Sequence, residues 1–547
     1  MSRAKKGARR GKRSADSGAQ GPSKKQKQKQ KQQATAAGDV ERPKESRERA
    51  EATLTKLLGG MSLSSFLSEH FEKKPLLVRK ADKGALFANG LFSRKQMLKV
   101  MDKQPQSMGF GQDLTVCRYV DAVRENFDST DSDGRATSRQ VASLLDRGYS
   151  CQFYQPQRYV DGLYELNAAF EEVFGGLAGA SAYLTPANSQ ALAPHHDDVE
   201  VFVLQTEGRK KWKLYHPLVE LAGEHSSDLS PDQIGEPWME MTVEEGDMLY
   251  FPRGVVHQAC TDDEQFSTHV TISVYQHNTW ANFLEVALPR VIRHAFDSDV
   301  AFRRGLPVGY LKYMGTQFPT DSKEAKEFVA SCKALVGKLA PHVGEKDMQE
   351  AADEAALDVL ANRLPPVEAK QSKAKETGAS PLDSNVAIRF KDRSHIRLSM
   401  GEDEAKEAFV AVYYSLHNCR LHHMGICTCE GESDEEQNEE DEEGGEGGEE
   451  EDGESADASS ADEDAGDEDD EGGDDLSAAF EQMPPQPKSV VFPGDLAQPL
   501  LKLYASSASG AGVAVEELTD DASDETAVRG MLLRLWSEGL LGITPRS

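Results

Sequence analysis

Two stretches decide how this chain is read: Pro194-His195-His196-Asp197-Asp198, and Gly246-Asp247-Met248-Leu249-Tyr250-Phe251-Pro252-Arg253-Gly254-Val255-Val256-His257. The first offers a His-x-Asp pair. The second offers one histidine just past a Pro/Gly turn. On a strand, residues i and i+2 fall on one face, so His195 and Asp197 reach a common metal with little strain. His196 and Asp198 have the same spacing, and on spacing alone both registers stand. His257 lies 60 positions after Asp197. That separation suits a double-stranded β-helix, in which two ligand segments occupy neighbouring strands. Two His and one carboxylate form the donor set that holds ferrous iron in oxygenases while leaving open coordination positions. A His-x-Asp pair alone is common by chance. Joined to Gly-Asp-x-Leu-x-x-Pro-x-Gly-x-x-His at this distance, it points to a metal site.

The surroundings agree with a barrel. Strands are predicted over residues 182–185, 199–205, 211–215, 239–243, 247–251, 255–261 and 267–275, separated by turns rich in Gly, Pro and Asp. Many short strands with such punctuation make a sandwich or barrel. In Gly208-Arg209-Lys210-Lys211-Trp212-Lys213-Leu214-Tyr215, residues 210, 212 and 214 share one face and 211 and 213 the other. An oxygenase of this class needs one fixed cation in an apolar barrel for the carboxylate of 2-oxoglutarate. Lys210, in line with Trp and Leu, is the candidate; the plain alternative is a surface lysine. A buried ammonium is costly without an anionic partner, and a bound carboxylate supplies one.

Outward from the barrel, apolar residues at 63, 66, 67 and 71 give a helical stripe, and helices are predicted from Ser93, over 137–146 and over 162–174. Structure begins near Ala52. After Trp280 the pattern turns helical: 280–296, 323–339 and 348–364, the last stopped by Pro365-Pro366. Strands near 386–390 and 396–400 open a smaller unit. It resumes after an acidic run as helix, short helix, helix over 496–504, 513–518 and 528–541, an order that suits a winged helix.

The 547 residues exceed one core, so several domains are expected. The net charge of −31 is not evenly spread. Residues 430–475 hold 27 Asp and Glu and no Lys or Arg; residues 1–31 hold 12 Lys and Arg against Asp16. Removing 27 negative and a net 11 positive charges leaves −15, an ordinary soluble surface. The basic clusters at 4–13 and 23–27 read as nuclear or nucleolar targeting signals on a solvated tail. Seven scattered cysteines form no disulfide framework and favour a reducing compartment. Cys427-Thr428-Cys429 beside His422 and His423 lacks zinc-ribbon spacing and reads as ordinary residues at the edge of the acidic run. No apolar run reaches the ~20 residues of a membrane span.

The run Tyr183-Leu184-Thr185-Pro186-Ala187-Asn188-Ser189-Gln190, then Pro194-His195-His196-Asp197-Asp198-Val199-Glu200, then Glu207-Gly208-Arg209-Lys210-x-Trp212, resembles the JmjC ribosomal oxygenases, most of all the nucleolar branch of bifunctional histidyl-hydroxylases and histone lysine demethylases. His269-Val270-Thr271-Ile272-Ser273, Asn278-Thr279-Trp280 and Arg303-Arg304-Gly305-Leu306-Pro307 extend the match. The resemblance implies an α+β chain: a JmjC/cupin double-stranded β-helix, a helical dimerisation region and a C-terminal winged helix. The domains would be a disordered basic tail (1–50), the barrel with N-terminal helical elements (51–281), the helical region of a homodimer (282–366), a linker (367–381) and the winged helix (382–547) with its acidic insert (430–482).

The family pattern Pro-His-x-Asp-Asp selects the first register, making His195, Asp197 and His257 the Fe(II) ligands and catalytic centre. It also implies 2-oxoglutarate on Lys210, contacts from Tyr183 and Ser273, and O2 as co-substrate. The implied reaction hydroxylates the β-carbon of a histidine in a large-subunit ribosomal protein. This chain departs from the pattern at His196 (a tyrosine in the family), Ser181 (an asparagine) and Gln152 (a basic residue). Two rivals stand beside that reading. One is demethylation of a histone lysine; the chain has no Cys-rich chromatin reader. The other is a non-catalytic nuclear scaffold whose acidic run holds basic proteins. DNA binding is not expected, because residues 513–541 carry no basic recognition stripe.

Overall fold

The computed structural model describes residues 46–80, 91–103, 108–121, 123–127, 134–367, 379–403, 405–424, 486–508, 510, 512–519 and 524–546. The basic tail, the acidic run, Cys427 and Cys429 lie outside them.

The barrel is built from ten antiparallel strands: β1 Leu76–Val78, β2 Leu114–Val120, β3 Val123–Asn126, β4 Ser150–Tyr154, β5 Ala178–Thr185, β6 Glu200–Tyr215, β7 Met239–Glu244, β8 Met248–Phe251, β9 Val256–Cys260 and β10 Ser267–Val274. They run in the order β1-β8-β6-β10-β5-β4-β2-β3, with β7 and β9 both joined to β6. Strand β6 is the hinge of the architecture. Its first half pairs with β8 and β10, and its second half with β7 and β9. The sequence predicted two strands here; the chain makes one of 16 residues. The reason is a bulge. Opposite β6 the register slips between Thr268 and His269, leaving Thr206 as the extra residue. Gly208, at φ +62°, then turns the strand where any Cβ would lie 1.9 Å from the Phe266 carbonyl oxygen. A glycine that reads as a turn therefore bends a continuous strand.

Alternation along β6 sorts two cores. Val201, Val203, Trp212 and Leu214 point into the barrel with Val243, Leu249 and Phe251. Phe202 and Leu204 point outward, among Phe66, Phe170, Tyr250 and Ile272. Both faces are buried because helices cover the outer one: α1 Ser46–Leu57, α2 Leu63–Glu69 and α5 Asp161–Phe174 supply Leu54, Phe66 and Phe170 to that core. Helix α3 is Arg94–Lys103 and α4 Ser138–Asp146. Ser62, Ser93 and Thr137 accept hydrogen bonds from backbone N–H groups of the first turns of α2, α3 and α4. The first described helix starts at Ser46, ahead of the expected Ala52, and Ala50, Leu54 and Leu57 bury one face of it.

Three further helices follow: α6 Trp280–Ser298, α7 Lys323–Val336 and α8 Glu345–Asn362. The last unit holds β11 Val386–Phe390, β12 Ile396–Glu402, β13 Ala408–Tyr414, β14 Lys488–Pro493, α9 Ala497–Ser507, α10 Glu525–Ser537 and β15 Leu541–Pro545. Strands β13 and β14 pair across residues 425–485, and β11 pairs with β15. The predicted helix over 528–541 ends at Ser537, where Gly539 (φ +69°) turns the chain into β15. A buried His423 Nε2–Glu171 Oε1 contact of 2.7 Å ties this unit to α5.

Candidate active site

His195 and Asp197 were expected on a strand. They lie instead in an irregular segment between β5 and β6, and the only ladder pairing of that segment near them is a bridge between His195 and His257. His195 N–H donates to His257 O at 3.2 Å, and His257 N–H to His195 O at 2.8 Å. A third bond, Gly254 N–H to Asp197 O at 2.9 Å, ties the Pro252-Arg253-Gly254 turn to the carboxylate residue. Gly254 has φ +82°, and a Cβ there would lie 2.4 Å from Val219 O. The motif's glycine is thus a backbone requirement.

These bonds bring three side chains together. The Nε2 atoms of His195 and His257 each lie 3.7 Å from an Asp197 oxygen, and one ligand atom from each residue falls within a 4.8 Å cluster, the only such group of three among the described residues. Nδ1 of His195 meets Ala193 O at 2.8 Å, and Nδ1 of His257 meets Val255 O at 3.1 Å. A carbonyl only accepts, so both rings carry a proton on Nδ1 and turn Nε2 toward Asp197. Burial and the neighbouring His195 push His257 down to about 4, so it is neutral near neutral pH. The second register does not assemble: Asp198 accepts from Gln276, and His196 is a buried ring whose backbone is held by Ser226.

The cluster sits on a pocket lined by Tyr183, Lys210, Trp212, Phe251, His269 and Thr271, among others. Lys210 is 3% exposed; its Nζ donates to Thr185 Oγ1 at 3.1 Å, and no carboxylate among the described residues pairs with it. Burial lowers it to about 8. Tyr183 stacks on His269 at 4.8 Å and 7°, and burial, then the Asp197 charge, raises its hydroxyl. Burial and Lys210 hold His269 well below its ordinary value, hence neutral. Trp212 Nε1 and His269 Nδ1 have no hydrogen-bond partner among the described residues. Ser273 shares the Thr271 face of β10 but falls beyond the cavity lining. Thr185, His269 and Trp212 were not singled out as site residues. Alternation along β5, β6 and β10 puts each on the face of Tyr183, Lys210 or Ser273, and that was the available signal. Ser181 and Gln152 stand on β5 and β4, opposite Thr271 and Tyr183 respectively.

This is a residue set that fits a dication and an anionic co-ligand: two oriented imidazoles, one carboxylate, and a buried cation with unpartnered donors beside it. Residues 152–283 match the JmjC domain family, so the barrel with its His-x-Asp…His cluster is a JmjC domain. The chain is 35% identical over 400 residues to ribosomal oxygenase 1 of Homo sapiens, covering 71% of this chain and 61% of that protein. It is 36% identical over 379 residues to ribosomal oxygenase 2 of Rattus norvegicus, covering 67% and 78%. A bifunctional lysine-specific demethylase and histidyl-hydroxylase NO66 of Culex quinquefasciatus is 35% identical over 385 residues, covering 66% and 56%. The chain belongs to the ribosomal oxygenase family. It spans about six-tenths of the length of the human relative.

Proposed function

We propose that the protein is a Fe(II)- and 2-oxoglutarate-dependent hydroxylase of a histidine side chain in a ribosomal protein. The observation that carries this is the convergence of His195, Asp197 and His257 at one end of a cavity where Lys210 is buried without a carboxylate. His195 and His257 would hold iron through Nε2 and Asp197 through a carboxylate oxygen. The chemistry the metal supplies when bound is oxidation of a C–H bond by O2, coupled to decarboxylation of 2-oxoglutarate to succinate and CO2. Lys210 and the Thr185 hydroxyl would pair with the far carboxylate of 2-oxoglutarate, and Trp212 Nε1–H stands free to donate in the same cavity. Trp212 and Phe251 pack beside His257 with ring centroids at 6.0 and 4.7 Å, which excludes water from that ligand. Tyr183 presents a protonated hydroxyl on the cavity wall, so it orients rather than accepts a proton, and Ser273 stands further along the β10 face as a peptide contact. His195→Ala or Asp197→Ala should abolish turnover, and full activity in either would sink the assignment.

The name of the Culex quinquefasciatus relative includes lysine-specific demethylase, which supports lysine demethylation, on a histone, as the second reading. Gain of one oxygen on a ribosomal histidine supports the first; loss of one methyl from a histone lysine supports the second. A non-catalytic scaffold would need none of the three ligands. Nuclear or nucleolar placement rests on the basic clusters of residues 1–31. The acidic run fits capture of a basic substrate: removing residues 430–475 should raise its KM, and an unchanged KM removes that role. Helices α6 to α8 are read as a homodimer region because α6 leaves Trp280, Leu284, Leu288, Ile292 and Phe296 exposed in one i, i+4 row. The unit of β11–β15 with α9 and α10 is read as a winged helix, without a DNA role.

A further inference from the structure

Behind the metal turn lies a buried charged network that the proposed chemistry does not use. Arg253 is 6% exposed; its Nη1 lies 3.2 Å from Glu200 Oε1 and its Nη2 2.7 Å from Glu72 Oε1. Glu200 is fully buried and accepts from the Tyr250 hydroxyl through its other oxygen. Tyr250 in turn accepts from the Glu72 N–H at 2.9 Å. Glu72 is held at φ +57° in the turn after α2, a conformation a non-glycine residue keeps only when its surroundings enforce it.

The placement of this network relative to the ligands is specific. Glu200 stands three residues after Asp197, and Arg253 four residues before His257. The Arg253–Glu200 pair therefore joins the two segments that carry the ligands. With the Tyr250–Glu200 bond, it ties them through side chains; the ties at His195, His257 and Gly254 are backbone bonds. Glu72 then anchors the same guanidinium to the N-terminal helical layer. We propose that Arg253, clamped between Glu200 and Glu72, is a positioning residue that sets the spacing of Asp197 and His257 and hence the affinity of the site for its metal. The proposal rests on the metal site argued above. A planar, forked guanidinium serves two carboxylates at once in a way an ammonium does not; groups bonded directly to metal ligands are worth about 10–100-fold in metal affinity, and a clamp one contact further out takes the low end of that range.

The test is titration of the full chain with Mn(II), reading free Mn(II) by electron paramagnetic resonance, for wild type, Arg253→Lys, Glu72→Gln and His195→Ala, with thermal melts of each metal-free protein. We expect His195→Ala to lose binding and Arg253→Lys to bind about tenfold more weakly, with Glu72→Gln shifted in the same direction. Glu72 is partly exposed, so its variant decides the matter should Arg253→Lys not fold. Wild type and both network variants with equal Mn(II) affinity, even with lowered melting temperatures, would reduce the network to structure and overturn the clamp alone. A wild type that binds Mn(II) no better than His195→Ala would overturn the metal reading and the clamp with it.

Discussion

Lys210 is an ammonium placed where water cannot reach it, with a threonine hydroxyl for company. Burial holds it at about 8 rather than its ordinary value, so part of its charge is lost just above neutral pH. A carboxylate ligand binds the charged form. Its affinity should therefore be flat below pH 8 and fall about tenfold per pH unit above it. Calorimetric titration of 2-oxoglutarate across this range checks the sign; an affinity that rises with pH contradicts the assignment. Lys210→Met should cost most of the 2-oxoglutarate affinity while leaving Mn(II) binding in place. At this scale much was legible. The His-x-Asp…His pattern pointed, in two registers, to the residues that cluster, and strand parity put Lys210 on the inward face. Thr185 and His269 escaped because they come from β5 and β10, and parity tells which face a residue takes but not which strands share a cavity. The side chains of the first register meet because of backbone bonds at His195 and Gly254, which spacing does not encode.

Two glycines carry the consequences at the level of elements. Gly208 lets β6 cross from one sheet to the other, and Gly254 lets the metal turn approach Val219. Gly208→Ala should destabilise the fold by roughly 3 kcal/mol, because a Cβ meets backbone at a positive φ. Gly254→Ala should do less to the melting temperature and more to metal affinity, since its N–H holds Asp197 O. Equal effects of both changes on the two quantities would contradict that division. The same glycines explain what the sequence hid. Gly208 reads as punctuation between strands, and a bulge uses the same residue as a turn. Gly539 likewise ends α10 early and starts β15, whose Leu541 the helical periodicity places at the end of the helix.

For the molecule as a whole, the strand-rich core with covering helices agrees with the JmjC barrel that the motifs implied. Pairing of β13 with β14 across residues 425–485 was not legible, because nothing local in either strand marks its partner. The apolar row of α6, with Trp280 80% exposed, predicts self-association. Sedimentation should show a dimer for wild type and a monomer for the Ile292→Asp/Phe296→Asp double variant; a monomeric wild type removes the homodimer. The central claim concerns chemistry on a protein, and one measurement reaches it most directly. The purified chain is incubated with Fe(II), 2-oxoglutarate and ribosomal proteins, and every modified residue is mapped by mass spectrometry beside a His195→Ala control. The account predicts one oxygen atom added to a histidine of a ribosomal protein, dependent on His195. Unmodified ribosomal proteins with a histone lysine losing its methyl group in a parallel reaction, or the same oxidation with the His195→Ala control, would contradict it.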